Sequence, residues 1–538
     1  MQLSSAHCRR ARPVRAWRAT APPSPRHAGA VLLVALAAVP VWCGSSAGEG
    51  GPPPNILFIL TEDQGAHLSF VGTAGLETPH MDSIAQQGAY FREAFVNYPV
   101  CSASKANIYT GLHSHANGVP SNTINYFQPA DTLSDAQKSH KIYQKLRVPD
   151  GVPTLVEVLK AAGYRLGVTH KLHITPVEKF PYDEWVRSAN GRQLTDFIAE
   201  AASASQPWFF FCNIEQPHRP FRNSDNANVE LTVDRDAVKV PGFLPDTDAV
   251  RTDWAEYLDA VERADRRIGG VLAALRESES AENTLVIFMG DHGPAFHRGK
   301  VSPYDFGLRV PLAISGPGVQ AGGLIDEVVS AIDLMPTILE FAGLKAPDTR
   351  HGSSLMPLLS GSTDRLAGRD YVVGEVHHGT HTGDNGMQER SVYDGRYRLI
   401  YREGINKPRD FNADLRYWVT PGPGKAPWHN RSFDSIVANK DKFPLEYRLL
   451  DETCTQLREF QPAELELYDV TADPFEVDNL VDAPRAQPAR ARLLAALVDH
   501  ISRTGDTAIS ESRVRRLARA GRSALNVSPS EDDERPRR

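Results

Sequence analysis

The chain has 538 residues, 41% hydrophobic and 23% charged, enough apolar material for a large core and enough length for two or more domains, which excludes wholesale disorder. Its formal net charge of -7 gives no global attraction to nucleic acid, so no nucleic-acid partner is expected and an anionic substrate needs a locally positive pocket. At the N-terminus Arg9, Arg10, Arg12, Arg15, Arg18 and Arg26 precede an apolar run at 28–41 and small residues at 44–48. That order reads as a signal peptide and linker over 1–48, with export to a periplasm or the exterior. The run is shorter than the roughly 20 residues that cross a bilayer, so no stable membrane span is expected. Bulky Trp42 ahead of Cys43 argues against a lipoprotein. Without the leader, Cys101, Cys212 and Cys454 remain, an odd set that argues against a disulfide framework.

A Gly/Pro linker at 50–54 runs into the apolar stretch 55–60, the pattern of a buried parallel strand, and similar stretches recur at 166–169, 208–214, 284–289 and 311–315. Helical periodicity lies between them at 81–87, 154–162, 253–277 and 333–342. Alternation of this kind predicts an α/β domain over 54–370 with a mainly parallel sheet and ligands at the carboxyl ends of its strands. Three of those ends are polar: Thr61-Glu62-Asp63, Glu215-Gln216-Pro217-His218 and Gly290-Asp291-His292-Gly293. From about 371 the pattern shifts to shorter strand-like pieces, 391–401 and 464–470, and a helix at 487–502, which predicts a smaller antiparallel domain over 371–505. Residues 506–538 are basic, then Ser/Asp/Glu-rich, and are expected to form a disordered tail.

A Cys followed by small residues is, alone, the pattern of a buried inert thiol, and acidic strand ends are, alone, solvated turns. In combination they say more. The segment Cys101-Ser-Ala-Ser-Lys-Ala-Asn-Ile-Tyr-Thr-Gly111 resembles the signature of the type I sulfatases, in which the Cys precedes a Pro or Ala, then an Arg, then Thr-Gly. The resemblance implies that Cys101 is oxidised to formylglycine by a formylglycine-generating or anaerobic maturation enzyme. The hydrate would carry a pair of hydroxyls, one to attack sulfur and one to expel the sulfated intermediate. It implies further that Glu62, Asp63, Cys101, Asp291 and His292 hold one divalent cation, Ca²⁺, since carboxylates with a sulfate oxygen suit a hard cation.

His170-Lys171-Leu172-His173 resembles the family's Gly-Lys-x-His, which makes Lys171 a sulfate contact and His173 a group that positions or deprotonates the hydrate. In an extended segment the two side chains point the same way. Pro217-His218-Arg219 resembles the loop on the leaving-group side, with His218 as general acid and Arg219 beside the substrate. Lys300, ahead of Tyr304-Asp305-x-Gly307-x-Arg309-Val310-Pro311, matches a second sulfate-binding Lys, and Lys105 stands where the family has Arg. Thr78-Pro-His80, Asp333-Leu-Met-Pro-Thr337 and Glu466-Leu-Tyr-Asp469 extend the likeness over about 54–496. The stretch 110–118 and Glu375-Val-His-His378 resemble the heparan N-sulfatase subgroup, which implies that His377 and His378 line a sugar subsite; ordinary turn histidines are the alternative.

The fold implied is alkaline-phosphatase-like, a large mixed sheet flanked by helices with a smaller C-terminal antiparallel-sheet α+β domain. The activity implied is hydrolysis of sulfate ester or N-sulfate groups on sulfated carbohydrate such as heparan-type glycosaminoglycan. Three positions depart from the family: Lys105 keeps a charge without Arg's planar fork, Glu62 reaches one methylene beyond Asp, and His292 offers nitrogen, a step towards softer metals. Two alternatives remain. A phosphatase or phosphonate hydrolase of the same superfamily would use Ser or Thr where Cys101 stands, and an inactive glycan-binding relative would result if Lys105 blocked oxidation.

Overall fold

The apolar stretch that opens the folded chain, Asn55–Thr61, is strand β1, and its residues divide between two cores. Ile56, Phe58 and Leu60 pack on one side and Leu57 and Ile59 on the other, so the strand is covered on both faces. The structure, a computed structural model, describes residues 53–222, 230–380, 386–407, 430–453 and 459–525. The leader expected over 1–48, Cys43 and Cys454 lie outside the described residues.

The strands are β1, β2 (Ala89–Phe91), β3 (Ala94–Phe95), β4 (Arg165–Thr169), β5 (Glu184–Val186), β6 (Trp208–Ile214), β7 (Thr284–Gly290), β8 (Leu312–Ser315), β9 (Gly323–Ile325), β10 (Val329–Ser330), β11 (Val372–His377), β12 (Gln388–Tyr393), β13 (Tyr397–Glu403) and β14 (Leu465–Asp469). The principal helices are α1 (Pro79–Gln87), α2 (Cys101–Thr110), α3 (Leu155–Ala161), α4 (Gly191–Ser203), α5 (Asp248–Arg276), α6 (Leu334–Phe341), α7 (Gln487–Thr504) and α8 (Glu511–Leu525). The eight-stranded sheet runs β5-β4-β6-β1-β7-β8-β2-β9. Strands β4, β6, β1 and β7 are mutually parallel, whereas β8 is antiparallel to both β7 and β2, so the sheet is mixed. Residues of α2, α3 and α6 join the core on one face, and those of α1, α4 and α5 the core on the other.

The second sheet, β11-β12-β13-β14, is antiparallel throughout. Val373, Val392, Leu399, Tyr401 and Leu467 form a core with Leu493, Leu494 and Leu497 of α7. The opposite face carries buried Arg398 and Arg402, which pair with Asp305 and Glu476 and with Glu389 and Glu466. The tail expected from 506 is corrected in its first half: α8 lies against α7, with Ile509 and Leu517 buried in the same apolar cluster. Its many arginines mask the Val514, Leu517 and Ala520 stripe in the sequence.

Candidate active site

Four adjacent parallel strands deliver the site. Glu62 and Asp63 follow β1, His170 to His173 follow β4, Glu215 to His218 follow β6, and Asp291 and His292 follow β7. Register places these ends side by side, with Thr61 opposite both Ile214 and Gly290. Backbone bonds lock the turns: Glu62 N–H donates to the Ile214 carbonyl (3.1 Å) and Asp291 N–H to the Thr61 carbonyl (2.9 Å). Asp63, His170, His173 and Val301 hold positive φ values of 58°, 60°, 54° and 65°, backbone strain gathered at the loops of this edge.

Cys101 is the first residue of α2, whose residues are all buried. Val100 caps the helix without a side-chain bond, and the loop beyond α2 supplies that service: Ser102 N–H donates to Asn122 Oδ1 (3.2 Å) and Thr123 N–H to Ser102 Oγ (3.0 Å). The thiol therefore sits at a helix N-terminus, where partial positive charge favours an anion. Its Sγ is 3.3 Å from His292 Nε2 and 3.9 Å from Asp63 Oδ1.

The lysines interlock with the acids. Lys105 donates to Glu62 and, at 3.3 Å, to Asp291 Oδ2; Lys171 donates to the other oxygen of Glu62 at 2.5 Å; Lys300 reaches both oxygens of Asp63 at 3.0 and 3.1 Å. Burial opposes ionisation of Glu62, but Lys105 and Lys171 hold it far below the usual carboxylate range. Burial and the nearby charge of Glu62 lift Asp291 to about 7 even though His292 pulls against them. Burial disfavours the Cys101 thiolate, yet Lys171, Lys300 and His292 bring the thiol well below its ordinary range. Burial also works against a charged His292, and Asp291, Cys101 and Asp63 overcome it to raise the imidazole to about 9.

The two expected acid–base histidines differ. Burial, with Lys171, lowers His173, whose Nε2 lies 2.9 Å from the Thr123 carbonyl. His218 is raised by Asp63 against its burial and lies 3.5 Å from Lys300 Nζ. Cys101, Lys105, Lys171, His173, His218, Lys300, Glu62, Asp63, Asp291 and His292 thus come together at one edge of the sheet.

Arg219 does not join them. Its guanidinium is bidentate to Asp253 of α5 (2.8 and 2.7 Å), donates to the Ala295 carbonyl (3.0 Å) and lies over the Phe221 and Phe296 rings. It therefore anchors the His218 loop to α5, and the expectation of a substrate contact is corrected. His377 and His378 are both held by carboxylates, Glu375 at 3.1 Å and Glu389 at 3.0 Å, and the His377 ring stacks on Tyr98. Val376, which precedes them, packs with Tyr98, Val100 and Ala103 at the start of α2. Asn122 and Thr123 carry no motif of their own; the sequence offers only their place in the loop after the Cys helix.

Candidate cation ligands fall into overlapping groups: Asp63, Cys101, Asp291 and His292, and Glu62, Asp63, Cys101 and His218, the atoms in each lying within 4.8 Å of one another. The donors fit a divalent cation, and in both groups the carboxylates are also held by lysines, Glu62 by Lys105 and Lys171, Asp63 by Lys300 and Asp291 by Lys105.

A mixed α/β sheet with acids, lysines and the start of a buried helix gathered at its parallel strand ends is the alkaline-phosphatase-like fold. Comparison with known proteins narrows this. The family model Sulfatase matches residues 54–196 and 191–344, and the model N-sulphoglucosamine sulphohydrolase, C-terminal, matches 290–407. The chain belongs to the sulfatase family, and it is a type I sulfatase. It is 28% identical over 492 residues to the N-sulphoglucosamine sulphohydrolase of Homo sapiens, covering 84% of this chain and 89% of that protein. An ulvan-active sulfatase of Formosa agariphila is 25% identical over 492 residues, covering 85% and 76%. The solved structure of a 2-O GAG sulfatase superposes with a TM-score of 0.58 at 21% identity, covering 86% of this chain and 96% of that one.

Proposed function

We propose that the protein is an exported sulfohydrolase that removes sulfate, as ester or N-sulfate, from sulfated glycans of the heparan type, with residue 101 as nucleophile after conversion to formylglycine. The observation that supports this reading is the convergence of Cys101, three lysines and the strand-end acids in one buried cluster. The similarity to N-sulphoglucosamine sulphohydrolase over most of both chains favours an amino-sugar substrate.

Lys171 and Lys300 would bind the sulfate oxygens and offset charge that builds on them in the transition state. Lys105 holds Glu62 and Asp291 and so fixes the floor of the pocket. His173, kept neutral by burial and Lys171, is suited to accept a proton at Nδ1 from the nucleophile. His218, raised by Asp63, is suited to hold a proton at Nε2 for the departing oxygen or nitrogen. Asp63, Asp291, His292 and the side chain at 101 would hold a divalent cation, which supplies Lewis-acid polarisation of the sulfate. His377 and His378, oriented by Glu375 and Glu389, would face the sugar.

The test is turnover on defined sulfated mono- and disaccharides, with intact mass reporting the state of residue 101. Cys101→Ala is expected to abolish turnover while the chain stays folded; full activity in that variant would sink the mechanism. A chain whose residue 101 stays a thiol and which binds sulfated sugar without turnover would establish the inactive binding protein instead.

A further inference from the structure

His173 is bound at three points to one short stretch of loop. Its N–H donates to Asn125 Oδ1 (3.1 Å), its carbonyl accepts from Thr123 Oγ1 (3.0 Å), and its ring Nε2 lies 2.9 Å from the Thr123 carbonyl. We propose that residues 122–125 are a positioning element for the reaction, holding His173 as its Nε2–H tautomer with Nδ1 turned towards residue 101. This rests on the sulfohydrolase reading above, in which Nδ1 takes the proton of the nucleophile.

The tautomer follows from the partner. A carbonyl oxygen only accepts, so Nε2 carries the proton and the neutral imidazole has its lone pair at Nδ1. The ring also makes a side-chain contact with Cys101. With Nε2 committed to Thr123, Nδ1 is the nitrogen left for that contact, and it is buried with no other hydrogen-bond partner.

The hold is more than one bond deep. His173 sits at φ 54°, a left-handed conformation that a non-glycine residue keeps only where its surroundings over-determine it, and the bonds on its N–H and its carbonyl supply that constraint. The loop is fastened in turn to the start of α2: Ser102 N–H donates to Asn122 Oδ1 (3.2 Å) and Thr123 N–H to Ser102 Oγ (3.0 Å). Residue 101 begins α2 and His173 follows β4, so the loop ties together two elements that carry the nucleophile and its base. A misplacement of about 1 Å between such groups costs on the order of a hundredfold in rate. Asn122, Thr123, Asn125 and Ser102 act through His173 and residue 101 and are positioning residues.

The experiment uses the full chain carrying isotope-labelled histidine. Proton–nitrogen correlation spectra of the thiol form, with His173 assigned by its absence in His173→Gln, are expected to show Nε2 protonated and Nδ1 bare at neutral pH. Asn125 is exposed, so Asn125→Ala should fold, which circular dichroism checks. That variant should show a mixture of His173 tautomers and, in the oxidised form, a kcat on a defined sulfated saccharide lowered about tenfold or more with KM changed less than about twofold. Asn125→Asp keeps the acceptor and should recover most of kcat. Ser102→Ala, which removes the acceptor for Thr123 N–H, should resemble Asn125→Ala. A native spectrum with His173 protonated at Nδ1, unchanged tautomers in both alanine variants, or a loss in Asn125→Ala confined to KM overturns the proposal. A chain that hydrolyses no sulfated saccharide would sink the sulfohydrolase reading by itself, and the spectra, which need no turnover, decide the tautomer and its dependence on Asn125 all the same.

Discussion

Lys105 and Glu62 reach each other by opposite adjustments, a cation without the planar fork of Arg and a carboxylate one methylene longer than Asp, with neither side chain exposed. Removing the cation leaves two buried acids short of a partner, so Lys105→Ala should lower stability by about 3–5 kcal/mol in a denaturant titration. Arg219→Ala should cost a similar amount, because Asp253 is left buried and uncompensated, and should also lower kcat through the displaced His218 loop. Arg219→Lys, which keeps charge but not the bidentate grip, should recover only part of both. The strand-end residues of the site were legible because each polar cluster follows directly on an apolar run, the pattern that marks the ligand-binding edge of a parallel sheet. Arg219 was misread because its partner lies 34 positions away on another element, and no local pattern announces that pairing.

At the scale of elements, the far end of α2 meets α7 in a group of imidazoles: His113, His115, His351 and His500, with ring centroids 4.7 to 6.1 Å apart in the contacting pairs. Burial lowers His500 to about 3 and His351 to about 4, and lowers His113 well below its ordinary value. His115, on Glu375, is raised despite burial and opposes them. A base whose folded pKa is depressed binds fewer protons than in the unfolded chain between the folded value and about 6.5, so stability is lost as pH falls across that window. Each such histidine contributes up to about 1.4 kcal/mol per pH unit there. His500→Gln should therefore flatten the loss of thermal midpoint between about pH 6 and pH 4, while leaving the protein no more stable at pH 8. The large sheet's central strands and long helices were readable from period and apolar runs, whereas β2, β3, β9 and β10 are too short to show a period. The piece expected as one strand over 391–401 is a hairpin, β12 and β13, turning at Asp394 to Arg396, where the Asp394-Gly395 pair was the overlooked signal.

Taken as a whole, the described residues fall in one compact unit, Gly51–Arg538, and the small sheet joins the large one through charge as much as through apolar contact. Hydrophobic patterning could not predict that join, since Arg398 and Arg402 read as solvent-facing positions. Deleting the chain after Ser510 removes α8 and uncovers the apolar side of α7, so the truncated protein should show a lower thermal midpoint and increased binding of a hydrophobic dye. Leu517→Asp should reproduce most of that effect with the full length retained. The enclosure of α2 bears on timing. With Cys101 only 1% exposed and its neighbours equally covered, a second protein can grip this stretch only while the chain is still open. Under the proposed conversion of residue 101, folding sets a deadline for that step, and a substitution that speeds closure of the sheet over α2 should yield more chains whose intact mass still shows the thiol.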